Sequence, residues 1–245
     1  MNPQQRNRYS RQIKLPSVGE GGQQAFLDAR VFIVGMGGLG SPLALYLAAA
    51  GVGHLVISDF DQVEESNLQR QIIHTQNRVG ELKVDSAKAG ILAINPECEV
   101  TTLAYELDET ELIEQCEGAD VIVDCTDNFP SRFGLNQLSL NTQTPLVSGA
   151  AIRQEGQIST FDPNVANSPC YQCVYTDEGL ESATCAMEGV MAPVVGIIGT
   201  LQAQEVLNVL LNKPALVGRL LLLDAANIEW QSVKLSKNPH CKVCG

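Results

Sequence analysis

The chain has 245 residues, enough for one large α/β domain with a sizeable core. Sixteen lysines and arginines against 28 aspartates and glutamates leave a net charge of −12, which argues against nucleic acid or an anionic membrane surface as the main partner, because both need a basic face. No apolar run reaches the ~18 residues of a membrane span, and Met1 to Lys14 is polar and basic with no apolar core of a signal peptide. A cytoplasmic protein is therefore expected, and its eight cysteines read as metal ligands or reactive thiols rather than disulfides.

Residues 1–28 read as an N-terminal arm with helices, carrying Arg6, Arg8 and Arg11 around Tyr9. Composition leaves open whether this is a solvated arm or a basic arm reaching an anionic site, on this subunit or another. The segment 29–150 then alternates strand and helix. Val31 to Val34 reads as a buried strand that turns through Gly35, Gly37 and Gly40, in the pattern G-x-G-x-x-G, into a helix over Ser41–Ala50. Such a turn lets a phosphate approach the backbone at a helix N-terminus. Leu55 to Ser58 is a second strand and ends in Asp59, 19 residues after Gly40. That matches the ~20-residue spacing of an acid that holds a ribose hydroxyl. The following stretch offers Asn67, Gln69 and Arg70 to a nucleotide from the carboxyl end of that strand.

A helix is predicted over Gly80–Asn95, burying Val84, Ala87, the stem of Lys88, Ile91 and Ile94. Lys83 near its start gains nothing from the helix dipole, so a ligand phosphate explains it better than local structure does. A strand over Val100–Ala104, a short helix over Glu109–Gln115 and a buried strand over Asp120–Asp124 follow. Asp127 and Asn128 come next, either capping the helix Phe129–Asn141 or holding Mg²⁺ and phosphate. One more strand is predicted over Pro145–Ala150. This alternation predicts a Rossmann-like, doubly wound, mostly parallel sheet.

The pattern changes over 151–245. Gln157–Phe161, Arg219–Leu223 and Ile228–Lys234 predict strands of a smaller antiparallel part. The apolar stretch Val190–Leu211 ends in a buried helix from about Gly199. Cys170-x-x-Cys173 and Cys241-x-x-Cys244 have the spacing of two zinc knuckles, and four thiolates close a tetrahedral Zn²⁺ with no open position, hence a structural site. Cys98, Cys116 and Cys125 fall in core elements and read as inert. Cys185 lies in a polar stretch expected to be an exposed loop, where a thiol can act as a nucleophile. No His or Lys nearby in sequence activates it. No Gly-Lys pair occurs, so ATP, if bound, is bound in the Rossmann manner and not by a P-loop.

Together Arg8-Tyr-Ser-Arg-Gln-Ile13, Gly35-Met-Gly-Gly-Leu-Gly40, Asp59-Phe-Asp61, Ser66-Asn-Leu-Gln-Arg-Gln71, Lys83, Asp124-Cys-Thr-Asp-Asn128, Gly189-Val-Met-Ala-Pro193 and the two knuckles resemble the E1-like adenylating enzymes of the MoeB/ThiF/HesA family over nearly the whole chain. The resemblance implies one E1-like domain spanning 1–245, with a nucleotide-binding part at 29–150 and a carrier-binding part at 151–245. It implies MgATP-dependent adenylation of the C-terminal Gly-Gly carboxylate of a small ubiquitin-fold sulfur carrier, with release of pyrophosphate. By the same resemblance Arg70 and Lys83 hold the phosphates, joined by Arg11 from the other subunit of a homodimer, and Asp127 holds Mg²⁺. Asp59 takes the ribose hydroxyls, and Gly38, Asp61, Ser66, Asn67, Gln69 and Asn128 line the nucleotide site.

Within the family, Ser148–Gln157 and Gly189–Pro193 look most like the branch that activates the small subunit of molybdopterin synthase. The branch that activates the thiamine carrier is the runner-up. Cys185 aligns with the family's loop cysteine, which thiamine-type members can join to the carrier and molybdopterin-type members do not require. The chain ends after the second knuckle, without the rhodanese-like domain of some relatives, so a separate sulfur donor is expected. Two rivals stand beside this reading. The glycine turn and Asp59 suit an NAD(P)-dependent oxidoreductase equally well, but Arg70, Lys83 and Asp127 do not. A silent scaffold that binds a ubiquitin-like partner would have been free to lose those residues.

Overall fold

A computed structural model describes residues 1–105, 108–175 and 188–245. Cys185 lies outside the described residues. Eight strands form one sheet: β1 (Arg30–Val34), β2 (His54–Ser58), β3 (Glu99–Leu103), β4 (Val121–Asp124), β5 (Leu146–Ile152), β6 (Glu155–Phe161), β7 (Arg219–Asp224) and β8 (Glu229–Lys234). Their order is β3-β2-β1-β4-β5-β6-β7-β8. Pairing is parallel from β3 to β5 and antiparallel from β5 to β8. This is the doubly wound sheet with an antiparallel continuation that the sequence predicts.

The parallel strands are apolar runs because both faces are covered by helices. Alternate side chains go to opposite cores: Val31, Ile33, Leu55, Ile57, Val121 and Val123 pack on one side, and Phe32, Val56 and Ile122 on the other. The helices are α1 (Pro3–Arg8), α2 (Ser10–Ile13), α3 (Gly19–Asp28), α4 (Gly40–Ala50), α5 (Lys83–Ile94), α6 (Glu109–Glu117), α7 (Phe129–Thr142), α8 (Tyr171–Val174) and α9 (Ala192–Leu210).

Three expectations change. Helix α5 begins at Lys83, not Gly80, because Gly80 has φ of +92° and Leu82 bridges to Gln62 in extended backbone. Ile94, expected in its buried stripe, is 39% exposed at the last turn. Helix α9 begins at Ala192 rather than near Gly199. A glycine inside a helix lowers its propensity, yet a Cβ at Gly199 would sit 2.4 Å from the Leu39 carbonyl oxygen, so close packing on the segment that opens α4 requires it. By length and composition α9 could cross a membrane. In the fold it is a core helix, with Val194, Val195, Ile198, Ala203 and Val206 buried.

The arm is anchored at Tyr9 while its three arginines stay exposed. Tyr9 is 2% exposed, and its hydroxyl accepts from Asn95 Nδ2 at 3.0 Å. Gln12 Nε2 donates to the Ala50 carbonyl at 2.9 Å. The arm thus docks on the carboxyl end of α4, and Arg11 points into solvent with no polar partner among the described residues.

Candidate active site

The site begins with the glycine turn. Gly35 has φ of +96°, and a Cβ at Gly40 would lie 2.1 Å from the Gly35 carbonyl oxygen, so both positions exclude any side chain. The turn is braced from strand β2: Asp59 Oδ2 accepts from Met36 N at 2.8 Å, and Asp59 Oδ1 accepts from Asp61 N at 2.9 Å. Burial pushes the Asp59 carboxyl up, and Lys83 together with these two amides pulls it back. Each oxygen keeps a free lone pair for a ligand hydroxyl.

From the other side His74 Nε2 donates to the Met36 carbonyl at 3.0 Å, which leaves Nδ1 to accept from Ser86 Oγ at 2.8 Å. Burial holds this imidazole below its ordinary range and so neutral. It ties the glycine turn to the first turn of α5.

Over the turn opens a cleft of about 980 Å³. It lies at the carboxyl ends of β1 and β4, neighbours in the sheet from which the chain winds outward in opposite directions. Ligands bind at such a switch point in open α/β sheets. Gly35, Gly37, Gly38, Asp59, Asp61, Arg70, Lys83, Asp127 and Asn128 all line the cleft, which continues past Ile152 and Gln157 to Leu222 and Trp230 on the antiparallel strands. Ser66, Asn67 and Gln69, expected around a nucleotide, stand outside this wall. Asn67 is instead buried in its own turn, its Oδ1 accepting from Glu64 N at 3.2 Å.

The cations have distinct settings. Lys83, buried, donates to Asp61 Oδ2 at 2.7 Å, so a local carboxylate accounts for part of what the sequence reading assigned to a phosphate. Arg70 Nη1 donates to the Ser66 carbonyl at 3.1 Å and leaves its other donors toward the cleft. Of the two roles left open, Asn128 takes the capping one. Asn128 Oδ1 accepts from Ser131 N at 2.9 Å and caps α7. Asp127 is exposed, lines the cleft and has no polar partner among the described residues. A single free carboxylate beside room for phosphates fits the way Mg²⁺ is held, by one or two carboxylates plus substrate oxygens. Arg11 does not line this cleft.

Sequence reasoning missed Gln71, Thr126 and Arg132 in the wall. Arg132 carried the same signal as Lys83, a cation near a helix start where the dipole disfavours it.

Away from the cleft the four knuckle cysteines meet. Their sulfurs all lie within 4.8 Å of one another, at 3.9 Å for Cys170–Cys173, 3.7 Å for Cys170–Cys241 and 3.5 Å for Cys173–Cys244. Zn–S bonds of ~2.3 Å in a tetrahedron separate sulfurs by roughly 3.8 Å, so the donor set fits a closed four-thiolate ion. The remaining described cysteines are inert: burial pushes Cys98 to about 11, Cys116 to about 12, and Cys125 well above its ordinary value.

The ThiF family model matches residues 9–243. The chain belongs to the ThiF family. It is 44% identical to the molybdopterin-synthase adenylyltransferase of Escherichia coli over 247 aligned positions, covering all of this chain and 98% of that relative. It is 40% identical to the E. coli sulfur carrier protein ThiS adenylyltransferase, covering 100% of this chain and 97% of the relative. The crystal structure of E. coli MccB with ATP superposes with a TM-score of 0.84 at 25% identity, over 98% of this chain and 74% of that one. The family resemblance read from the motifs is thus borne out.

Proposed function

We propose that this member of the ThiF family is an adenylyltransferase. It uses MgATP to adenylate the C-terminal Gly-Gly carboxylate of a small ubiquitin-fold sulfur carrier of the molybdopterin-synthase (MoaD-like) type, releasing pyrophosphate. The observation that carries this reading is the convergence of Arg70, Lys83 and Asp127 on one cleft above the glycine turn. A dehydrogenase cofactor brings no triphosphate for the two cations and no Mg²⁺ for the free carboxylate. The identity to the molybdopterin-synthase enzyme, 44% against 40% for the ThiS enzyme, favours the first carrier.

The carrier carboxylate is ionised at neutral pH and attacks the α-phosphate without a base. Arg70 and Lys83 offset the repulsion between two anions, and Asp59 orients the ribose. The work is positioning and electrostatics. Asp127 would hold Mg²⁺, which supplies charge neutralisation at the phosphates. The exposed Arg11 acts across a homodimer, in the partner's cleft. The carrier tail enters from the antiparallel side, along Gln157 and Leu222. Residues 29–150 then serve the nucleotide and 151–245 the carrier, within a cytoplasmic protein. The four cysteines hold a structural Zn²⁺, and a separate protein donates sulfur to the adenylate.

Carrier-dependent ATP–pyrophosphate exchange tests this reading, with the molybdopterin-type and thiamine-type carriers offered separately. Exchange with the first alone supports it. Exchange with the thiamine carrier alone moves the protein to that branch and favours Cys185 as a nucleophile. Exchange with neither overturns it.

A further inference from the structure

Arg132 is 9% exposed and lines the cleft, yet its Nε has no hydrogen-bond partner. The guanidinium is boxed in: it lies 5.7 Å from the Phe129 ring centroid, with the Tyr171 hydroxyl beside it and Asp124 Oδ2 3.8 Å from Nε. Its Nη2 donates to the Thr126 carbonyl at 2.8 Å.

Asp124 holds the same residue from the opposite side. It is fully buried, and its Oδ1 accepts from Thr126 N at 2.9 Å and Thr126 Oγ1 at 2.7 Å, while Oδ2 accepts from Ser148 Oγ at 2.7 Å. Thr126 is therefore pinned at its amide, its hydroxyl and its carbonyl. The next residue is Asp127, which has no polar contact of its own among the described residues.

We propose that Arg132 is a positioning residue of the nucleotide cleft: by holding the Thr126 carbonyl against Asp124 it aims the free Asp127 carboxylate, and through α7 it couples that aim to the four-cysteine knuckle. The coupling runs through α7 one turn beyond Arg132. There the buried Asn136 accepts from Tyr171 N at 2.8 Å and donates to Gln172 Oε1 at 3.2 Å, both residues lying between Cys170 and Cys173. A merely charge-balancing arginine would need only its proximity to Asp124. The planar guanidinium donates from Nη2 to the Thr126 carbonyl while its Nε faces Asp124 Oδ2 at 3.8 Å, a placement that the single point of an ammonium does not reproduce.

This inference rests on the adenylation reading, and the tests separate the two. Arg132→Met would strand Asp124 as an uncompensated buried charge, so the informative variant is Arg132→Lys, which keeps the charge and loses the planar guanidinium. If that variant does not fold, the neutral pair Asp124→Asn with Arg132→Gln takes its place. Hydrogen exchange reads the loop without substrate: amides of 125–128 should exchange faster in the variant, with those of β1 unchanged. Calorimetry with MgATP and exchange kinetics read the consequence: weaker MgATP binding, kcat lowered by roughly 10²-fold, and an unchanged KM for the carrier.

Unchanged loop exchange overturns the clamp. A loosened loop with wild-type MgATP affinity and kcat overturns its role in the cleft. A raised carrier KM with intact MgATP binding overturns it differently, making Arg132 a contact of the carrier tail. If the wild-type protein binds no MgATP, the adenylation reading falls and the aim of Asp127 falls with it, while hydrogen exchange still decides whether the clamp exists.

Discussion

Lys83 Nζ donates to Asp61 Oδ2 at 2.7 Å, joining a lysine side chain only 9% exposed to an aspartate 55% exposed. A buried ammonium needs an anion at all times. Asp61 meets that need in the free protein, and a triphosphate would take it over. Lys83→Ala should then lower carrier-dependent exchange by about 10²–10³-fold, the usual cost of removing one preorganised charge-stabilising donor. Asp61→Asn leaves Lys83 without its resident counter-ion. The free protein is destabilised, and MgATP restores more than it does in the wild type. The thermal shift on adding MgATP should therefore be larger in Asp61→Asn than in the wild type. An equal or smaller shift removes Asp61 from this exchange of partners.

Asp127 offers a cleaner separation of fold from chemistry. It is exposed and contributes no polar contact among the described residues, so Asp127→Asn should change the stability of the free protein by no more than about 0.5 kcal/mol. The same variant should need a much higher Mg²⁺ concentration to reach half-maximal exchange, because a neutral amide is a poor ligand for a hard cation. A Mg²⁺ titration that superimposes on the wild type would dismiss Asp127 as the magnesium ligand.

These two residues also show how far the primary structure could be read. The parallel strands and the glycine turn were legible because their signals are local: apolar runs of four or five residues, and glycines where no Cβ fits. The knuckles were legible because a four-thiolate site leaves its own spacing in the chain. Partners that meet only through topology were not. Lys83 and Asp61 are 22 residues apart and come together because a strand end and a helix start face one cleft. The placement of Asn67 and Gln69 away from the wall depends on turn geometry that residue type does not encode. Gly199 misled the reading of α9, since its low helix propensity is outweighed by the close approach of Leu39. Gln12 docks the arm on the Ala50 carbonyl at the end of α4, and Tyr9 docks on Asn95, which itself donates to the Ala48 carbonyl; basic composition alone could not indicate either.

His74 links acid sensitivity to the glycine turn. Burial depresses its folded-state value, so the unfolded chain takes up a proton first as the pH falls below about 6.5. The unfolded state then binds more protons, and stability must drop with falling pH. Protonation would also make Nδ1 a donor and end its acceptance of the Ser86 hydroxyl. The melting temperature should decline between pH 7 and pH 5. His74→Gln, which does not titrate, should flatten that decline while lowering the plateau at pH 7. His54 is depressed by burial as well and accounts for the slope that survives. A decline as steep in His74→Gln as in the wild type would assign the effect elsewhere.

The four-cysteine cluster makes the last prediction. Cys241 and Cys244 follow β8, which ends at Lys234, and a metal in the cluster would tie this segment to Cys170 and Cys173. The purified protein should carry one Zn²⁺ per chain, since the cluster closes four coordination positions and, among the described residues, is the one group of three or more His, Cys, Asp or Glu side chains whose ligand atoms converge. Cys244→Ser should lose that ion and lower the melting temperature, because ion binding is available only to the folded arrangement of sulfurs. Chelation of the wild type should reproduce both effects, and added Zn²⁺ should reverse them. None of the four cysteines lines the cleft and the cluster offers no open position, so MgATP binding should weaken only as far as the α7 connection carries the disturbance. Four titratable thiols with no bound metal in the native protein would show that the cysteines meet for another reason.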